Sequence, residues 1–478
     1  MHETPGSIVA KLPDAADVLF LLIFGLLIFS RPSYLFSDGS TGWHLVVGHW
    51  VLQHHGVPRF DFLSYTEAGQ PWVAFEWLAE TALAILEALG GLPLLAVGCA
   101  GAIAVLFRTL HRDMLASGCR GSIAFALAAT GAIASSVHWL ARPHLFTFFS
   151  LYAIVRILDA HAQGRLGAPT TVAASAAVTL VWANIHPAFP LGLVVIAIFL
   201  ACALAAGREA RALGASLALG AAATFVNPYG WGLHGYVLRH LTDPVLGVTE
   251  EFSAPALDGG LQSTCFFTLF AILVVTLVLR GRRAPLSKSL VALAMACLAL
   301  RGVRHVPLFV VVALPLLGQL LRSAPSTVIV RSKAPVAPIV VVGLLVSIAI
   351  AGGTLRQALL GGCDFDPTRF PTTTLDWLRE HRPPADRGLA WDNWGGFLAY
   401  RLGIPVFIDD RSDFFPRELT RDYLRIAAAT PASAALLDRY GIRWILYPRS
   451  SPLIRLLGED PKWQKVSADA AAALFVRR

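Results

Sequence analysis

Charge is scarce in this sequence: only 15% of its 478 residues are Asp, Glu, Lys or Arg, against 55% hydrophobic. Soluble domains carry nearer a quarter charged residues, so the shortage excludes an ordinary water-solvated globule and makes lipid the solvent for much of the chain. Cysteine pairs are missing too. Cys99, Cys119, Cys202, Cys265, Cys297 and Cys363 form no CxxC spacing, which leaves no metal framework or disulfide scaffold to read. They read as small apolar groups in or beside apolar runs. No glycine-rich phosphate loop occurs, Trp394-Gly395-Gly396 being too weak a signal, and no internal repeat is visible. The first apolar run, 18–29, ends at Arg31-Pro32 without a small-residue cleavage site, so it reads as an uncleaved anchor.

What the sequence has instead is a series of long apolar runs and a mean hydropathy of +0.61. A spanning helix needs about 20 mostly apolar residues. The runs predict about eleven spans, near 17–33, 92–110, 121–139, 143–160, 170–185, 187–206, 211–226, 263–280, 287–301, 305–322 and 336–355. The net charge of +8 does not imply nucleic acid, because the basic residues sit mostly in short loops between these runs. With the N-terminus cytoplasmic, the cytoplasmic loops hold Arg108, Arg112, Arg120, Arg156, Arg165, Arg208, Arg211, Arg280, Arg282, Arg283, Lys288, Arg322, Arg331 and Lys333. The first outside loop, 34–91, holds Asp38, Asp61, Glu67, Glu76, Glu80 and Glu87 against a single Arg59. That asymmetry is the positive-inside pattern. Arg142, Arg239, Arg301 and Arg304 break it, and charges that break it near a bilayer are candidates for function.

Two regions outside the spans carry structure. The loop 34–91 reads as two amphipathic helices, about 42–54 and 74–90, with tryptophans suited to lying at an interface. Residues 356–478 alternate strand-like runs (388–391, 406–408, 444–446, 472–476) with helical ones (374–381, 419–428, 433–440). The expected fold is therefore a polytopic α-helical membrane protein, 1–355, with a small α/β domain, 356–478, outside the cytoplasm.

Candidate chemistry gathers at the outer ends of the spans. Asp38 stands just beyond the first span, where partial desolvation suits a general base; a divalent cation and a plain helix cap shared with Ser40 are equally open locally. Glu76 and Glu80 are four residues apart, hence on one helical face, either solvated or part of an acidic cluster with Asp38. Arg142, His144, His186, Arg304 and His305 fall at one membrane depth on one side. Such a cationic ring beside acids suits an anionic lipid headgroup, a phosphate or pyrophosphate; interfacial snorkelling is the bland alternative for any one of them. Asp392-Asn393 and the run from Asp409 to Asp413 each follow an expected strand, where ligands or ordinary turn chemistry would place them.

Together these stretches resemble a known family. Gly42-Trp43-His44-Leu45, the turn to Asp61 with Ser64-Tyr65-Thr66, and Glu76-Trp77-Leu78 are similar to a group of bacterial membrane proteins related to GT-C glycosyltransferases. The likeness continues through Arg142-Pro143-His144, Asn184-Ile185-His186, Asn227-Pro228-Tyr229-Gly230, Arg304-His305-Val306-Pro307, Trp394-Gly395-Gly396 and the stretch 405–415. It covers nearly the whole chain. The resemblance implies an enzyme of the bacterial inner membrane that moves a sugar from a polyprenyl-phosphate donor to a glycan, lipid or protein acceptor at the extracytoplasmic face. It implies Asp38 as base and Arg142 or Arg304 on the donor phosphate; Glu76, from the acidic-cluster reading, is the second catalytic candidate. His44, Asp61, His144, His186, Asn227, Tyr229 and His305 are the further candidates for holding substrate. One departure stands out. Ser40 occupies the place of the group's second aspartate, which removes a ligand for Mg or Mn and leaves open an inactive lipid-carrier-binding or scaffold protein of envelope assembly.

Overall fold

The computed structural model describes residues 13–242, 250–323, 336–381 and 387–478; Arg331 and Lys333 of the expected basic loops lie outside them. A helical bundle makes up the first part. It comprises α1 (Ala15–Gly25, continued by a π turn), α2 (Ser40–His54), α3 (Trp77–Ala116), α4 (Gly121–Ser135), α5 (His144–Ala162), α6 (Ala168–Ile185) and α7 (Pro190–Ala205). Then follow α8 (Arg211–Ala223), α9 (Trp231–Thr242), α10 (Gly260–Arg280), α11 (Leu286–Arg301), α12 (Val306–Leu320), α13 (Val336–Ala351) and α14 (Gly353–Leu360). Among the described residues, six helices are long and apolar enough to cross a membrane: α3, α4, α5, α6, α10 and α12 with their flanking turns. Four shorter apolar helices accompany them: α1 with its π turn, α7, α8 and α13. The chain is a multi-pass membrane protein; length and composition alone stop short of the expected eleven spans.

Helix α3 is 40 residues long, about 60 Å at 1.5 Å per residue and far more than a bilayer requires. It breaks at Gly90 and Gly91, the latter at φ +68°, and Pro93 opens the second segment. Residues 77–89 thus form a helix of their own at one end of the bundle. Charged groups lie at the other end of α3. Arg108 and Arg112 pair with Asp17 and Asp14 at 2.8 and 2.6 Å, the latter inside the capping box that starts α1. Lys288 pairs with Asp159 at 3.0 Å.

The two loop helices are not the lipid-facing pair expected. Helix α2 is buried over most of its length, Trp43 included, as is Trp72 in the loop that follows it, because the C-terminal domain sits on α2. The contact is backbone to backbone. A Cβ on Gly42 would overlap the carbonyl of Gly396, one on Gly39 that of Asn393, and one on Gly48 that of Glu80. Only glycine admits such an approach.

The C-terminal domain carries α15 (Thr372–His381), β1 (Gly388–Ala390), α16 (Gly395–Leu402), α17 (Arg417–Ala427), α18 (Ser433–Arg439), β2 (Trp444–Pro448), α19 (Pro452–Glu459), β3 (Trp463–Ala468) and β4 (Ala472–Arg477). Its sheet runs β1-β2-β4-β3, with β1 parallel to β2 and the other pairs antiparallel. The expected strand at 406–408 does not join it. Val406 instead pairs with the first loop: its N–H donates to Leu63 O and its carbonyl accepts from Tyr65 N–H, both at 2.9 Å. Thr66 adds a side-chain bond to Phe407 O.

Candidate functional site

Asp38 closes the turn that leads from α1 into α2. Its Oδ1 accepts from the backbone N–H of Ser40 at 2.8 Å and from the Ser40 hydroxyl at 2.5 Å. That is an Asx turn just ahead of α2, whose N-cap, Gly39, has no side-chain cap. Its Oδ2 points the other way and accepts from Arg142 Nη1 at 3.0 Å. The same nitrogen donates to Glu251 Oε1 at 2.8 Å, and Arg304 Nη1 lies 3.9 Å from Glu251 Oε2 with its guanidinium 4.4 Å over the Phe252 ring. Burial works against Arg142, but Asp38 and Glu251 outweigh it and hold the guanidinium firmly protonated. Burial likewise opposes ionisation of Glu251, and Arg142 and Arg304 overcome it, so its carboxyl titrates below the usual range. Asp38, Arg142, Glu251 and Arg304 keep 19–28% of their side chains exposed, enough for a ligand to reach them.

The C-terminal domain completes this cluster. Asn393 Oδ1 accepts from Gly39 N–H at 3.2 Å, and Asp410 Oδ1 accepts from Trp43 Nε1 at 2.8 Å. Burial, and then the charge of Asp38, push the Asp410 carboxyl well above the ordinary range, with Arg142 pulling the other way. Glu251 is not a residue expected from the sequence, and Asp410 is expected only as part of the run from Asp409 to Asp413. Glu251 sits in a stretch between spans that carries no motif of its own. Asp410 is one of three aspartates in Asp409–Asp413, and no spacing singles it out. Ser40 engages one Asp38 carboxylate oxygen and Arg142 the other, so any ligand of Asp38 has to displace one of them.

A second, sealed cluster lies behind the first. His44 Nδ1 is 2.9 Å from Glu80 Oε1 and 3.6 Å from Glu76 Oε2, and His186 Nε2 is 3.4 Å from Glu76 Oε1. The side chains are 1–9% exposed. Burial pushes the Glu76 carboxyl up to about 8, against the pull of Arg142 and Arg304. Burial, with Arg142 next, keeps the His44 imidazole neutral. Glu76 and Glu80 therefore share a face, as their spacing requires, but that face is interior and not solvated. Glu76, His44 and His186 are buried, yet close enough to the first cluster for Arg142 to act on the Glu76 carboxyl and the His44 imidazole.

The remaining candidates separate. His144 bonds through Nε2 to the His138 carbonyl at 2.9 Å and stacks on the His138 ring, inside the bundle next to Arg142. His305 is half-buried at the start of α12, beside Arg304. Asp61, Asn227 and Tyr229 do not join the cluster. Asp61 accepts from Leu63 N–H, Ser64 N–H and the Ser64 hydroxyl, and forms an ion pair with Arg411 at 2.8 Å. Arg411 is itself forked onto Asp409 and stacked on Trp72. Asn227 uses its amide on Thr224 O and on Tyr229 N–H, and Tyr229 donates to Pro58 O at 2.6 Å. These three hold loops together: Asn227 and Tyr229 bond backbone groups, and Asp61 bonds backbone N–H groups, the Ser64 hydroxyl and Arg411.

With the bundle, the first-loop helices and the capping domain described, the fold can be placed: it is the GT-C fold. Structure comparison matches the archaeal oligosaccharyltransferase AglB from Archaeoglobus fulgidus, in complex with an inhibitory peptide and a dolichol-phosphate, at a TM-score of 0.63 and 12% identity. The match covers 91% of this chain and 69% of that one. The apo form of the A. fulgidus oligosaccharyltransferase matches at 0.60 and 13% identity, over the same shares. The form tethered to an acceptor peptide matches at 0.59 and 12%, over 91% and 68%. No protein-family model matches the chain, and no curated protein matches it in sequence.

Proposed function

We propose that this protein is a GT-C-type inverting glycosyltransferase of the bacterial inner membrane, with the Asp38 cluster and the C-terminal domain on the extracytoplasmic side. The donor is a polyprenyl-phosphate sugar and the acceptor a hydroxyl of a glycan, lipid or protein. The observation that carries this reading is the shared guanidinium: Arg142 bridges Asp38 and Glu251, with Arg304 beside it, in a partly open cluster. An incoming phosphate offers Arg142 and Arg304 a better partner than a half-exposed carboxylate. Drawing Arg142 toward the phosphate frees Asp38 Oδ2. Asp38 then takes the acceptor's hydroxyl proton while that oxygen attacks the anomeric carbon. The bond to the phosphate oxygen breaks, and its electron pair stays on the polyprenyl phosphate, stabilised by the two arginines. The fold shared with oligosaccharyltransferases supports the reading, and the dolichol-phosphate of the first neighbour is consistent with a lipid donor.

The test is transfer from a radiolabelled polyprenyl-phosphate sugar in membranes carrying the parent or Asp38→Asn. Loss of transfer in the variant, with equal membrane insertion, supports the assignment; full transfer overturns it. A carrier-binding scaffold is the second reading, favoured by the engagement of both Asp38 oxygens by Ser40 and Arg142. Purified protein that binds polyprenyl phosphate but never releases it from its sugar would establish that reading. Mass spectrometry of envelope glycolipids with and without the gene identifies the product.

A further inference from the structure

We propose that His44, Glu76 and Glu80 form a binding site for one divalent transition ion, best matched by Zn2+, that pins α2 to the start of α3. This goes beyond the transferase reading and does not rest on it. The three ligands come from two helices that touch through backbone: Gly48 of α2 lies against the Glu80 carbonyl, so close that a Cβ there would overlap it. That approach lets one imidazole face two carboxylates one helical turn apart. The donor atoms of the three side chains lie within 4.8 Å of one another. A tetrahedral ion with bonds near 2.0–2.1 Å spaces its ligands by about 3.4 Å. The distances from His44 Nδ1, 2.9 Å to Glu80 and 3.6 Å to Glu76, bracket that edge.

Three independent observations point to an occupant. First, Glu80 Oε2 is buried and makes no hydrogen bond among the described residues, on the same carboxylate that faces His44. An unsatisfied carboxylate oxygen in the interior is costly, and an ion answers it. Second, the ion-pair partners of Glu76 and Glu80 among the described residues are His44 and His186, with no Lys or Arg. A dication between them would meet both carboxylates at contact distance, which the guanidiniums of Arg142 and Arg304, acting from farther off, do not. Third, an outer shell is in place. The Ala188 N–H donates to His186 Nδ1 at 3.2 Å, which leaves the ring proton on Nε2, facing Glu76 Oε1 at 3.4 Å. An imidazole N–H on a ligating carboxylate orients it for metal. One nitrogen and two carboxylates suit Zn2+; Mg2+ and Ca2+ take six or more oxygens.

The full chain, purified in detergent and stripped with a chelator, is reloaded with Zn2+ and assayed by elemental mass spectrometry. The expected result is about one ion per chain in the parent and in Asp38→Asn, with at least tenfold weaker uptake in Glu80→Gln and about tenfold in His186→Ala. Co2+ loading should give the visible d–d bands of a tetrahedral site in the parent and in Asp38→Asn, and not in Glu80→Gln. Glu80→Gln is nearly isosteric, and an unchanged size-exclusion profile shows that it is folded. A stripped parent that takes up neither Zn2+ nor Co2+ overturns the proposal, as does Glu80→Gln binding like the parent.

Discussion

Arg142 Nη1 stands 3.0 Å from Asp38 Oδ2, joining residues 104 positions apart in the chain. The contact brings the acid just after α1 against the cation just before α5, at the end of the bundle that the C-terminal domain covers.

If Asp38 is the base, Asp38→Asn should slow transfer by about two to four orders of magnitude. Binding of polyprenyl phosphate should persist, since asparagine still accepts from Ser40. A transfer assay on matched membrane preparations decides this, and a rate within threefold of the parent removes Asp38 from the chemistry.

If the arginines hold the donor phosphate, Arg142→Gln and Arg304→Gln should each weaken polyprenyl-phosphate binding. A charge-assisted hydrogen bond is worth about 1.5–3 kcal/mol, or roughly ten- to a hundredfold in Kd. Titration in nanodiscs measures it. Unchanged affinity in both variants would move the donor site elsewhere.

Asp410 gives a pH signature. Its carboxyl is raised by burial first and by Asp38 second, with Asp409 adding and Arg142 and Trp43 opposing. The folded state therefore holds a proton that the unfolded chain releases near pH 3.9. The stability contributed by that proton is complete below the unfolded pKa and lost as pH rises through the higher folded value. Asp410→Asn keeps an acceptor for Trp43 and should flatten this decline. Thermal melts from pH 4 upward check it; parallel curves for both proteins would refute it.

The glycine contact between loop helix and domain allows no side chain. Gly396→Val should cost at least the 1–3 kcal/mol typical of overpacking, lower the melting temperature and expose α16 to protease. An undisturbed digestion pattern would mean that the domain is docked by other contacts.

Asp61 is expected to be a stability residue. Its ion pair with Arg411 is almost fully buried, with side chains 0% and 4% exposed. Breaking such a pair costs about 3–5 kcal/mol. Asp61→Ala should therefore reduce the yield of folded protein while leaving the Kd for polyprenyl phosphate of the folded fraction unchanged. A loss of affinity without loss of stability would restore Asp61 to the substrate site.

The helices were legible because apolar runs of spanning length admit few alternatives, and a helix covers every run that the sequence marks. The break in α3 was legible only as a boundary at Gly90-Gly91. The strand at 406–408 was misassigned because its pattern records pairing but not the partner, which is the first loop and not the sheet. β3, with the pattern Trp463-Gln464-Lys465-Val466, is mostly exposed and bulged, so alternation gave no signal. At the site, Arg142 and Arg304 stood out by violating the charge asymmetry. Glu251 and Asp410 did not, because acids outside the cytoplasm are ordinary and only three-dimensional placement distinguishes these two. Asp61, Asn227 and Tyr229 were over-read, since a polar residue in a turn looks the same whether it binds a ligand or its own backbone.

Trp43, Gly39 and Gly42 meet Asp410, Asn393 and Gly396 across some 350 residues of chain. Biogenesis is ordered by that separation. The Asp38 loop is synthesised first, and the partners that cover it belong to the last fifth of the polypeptide. Proteolytic loss of the tail would therefore leave a remnant in which Trp43 and Gly39 have lost their Asp410 and Asn393 partners.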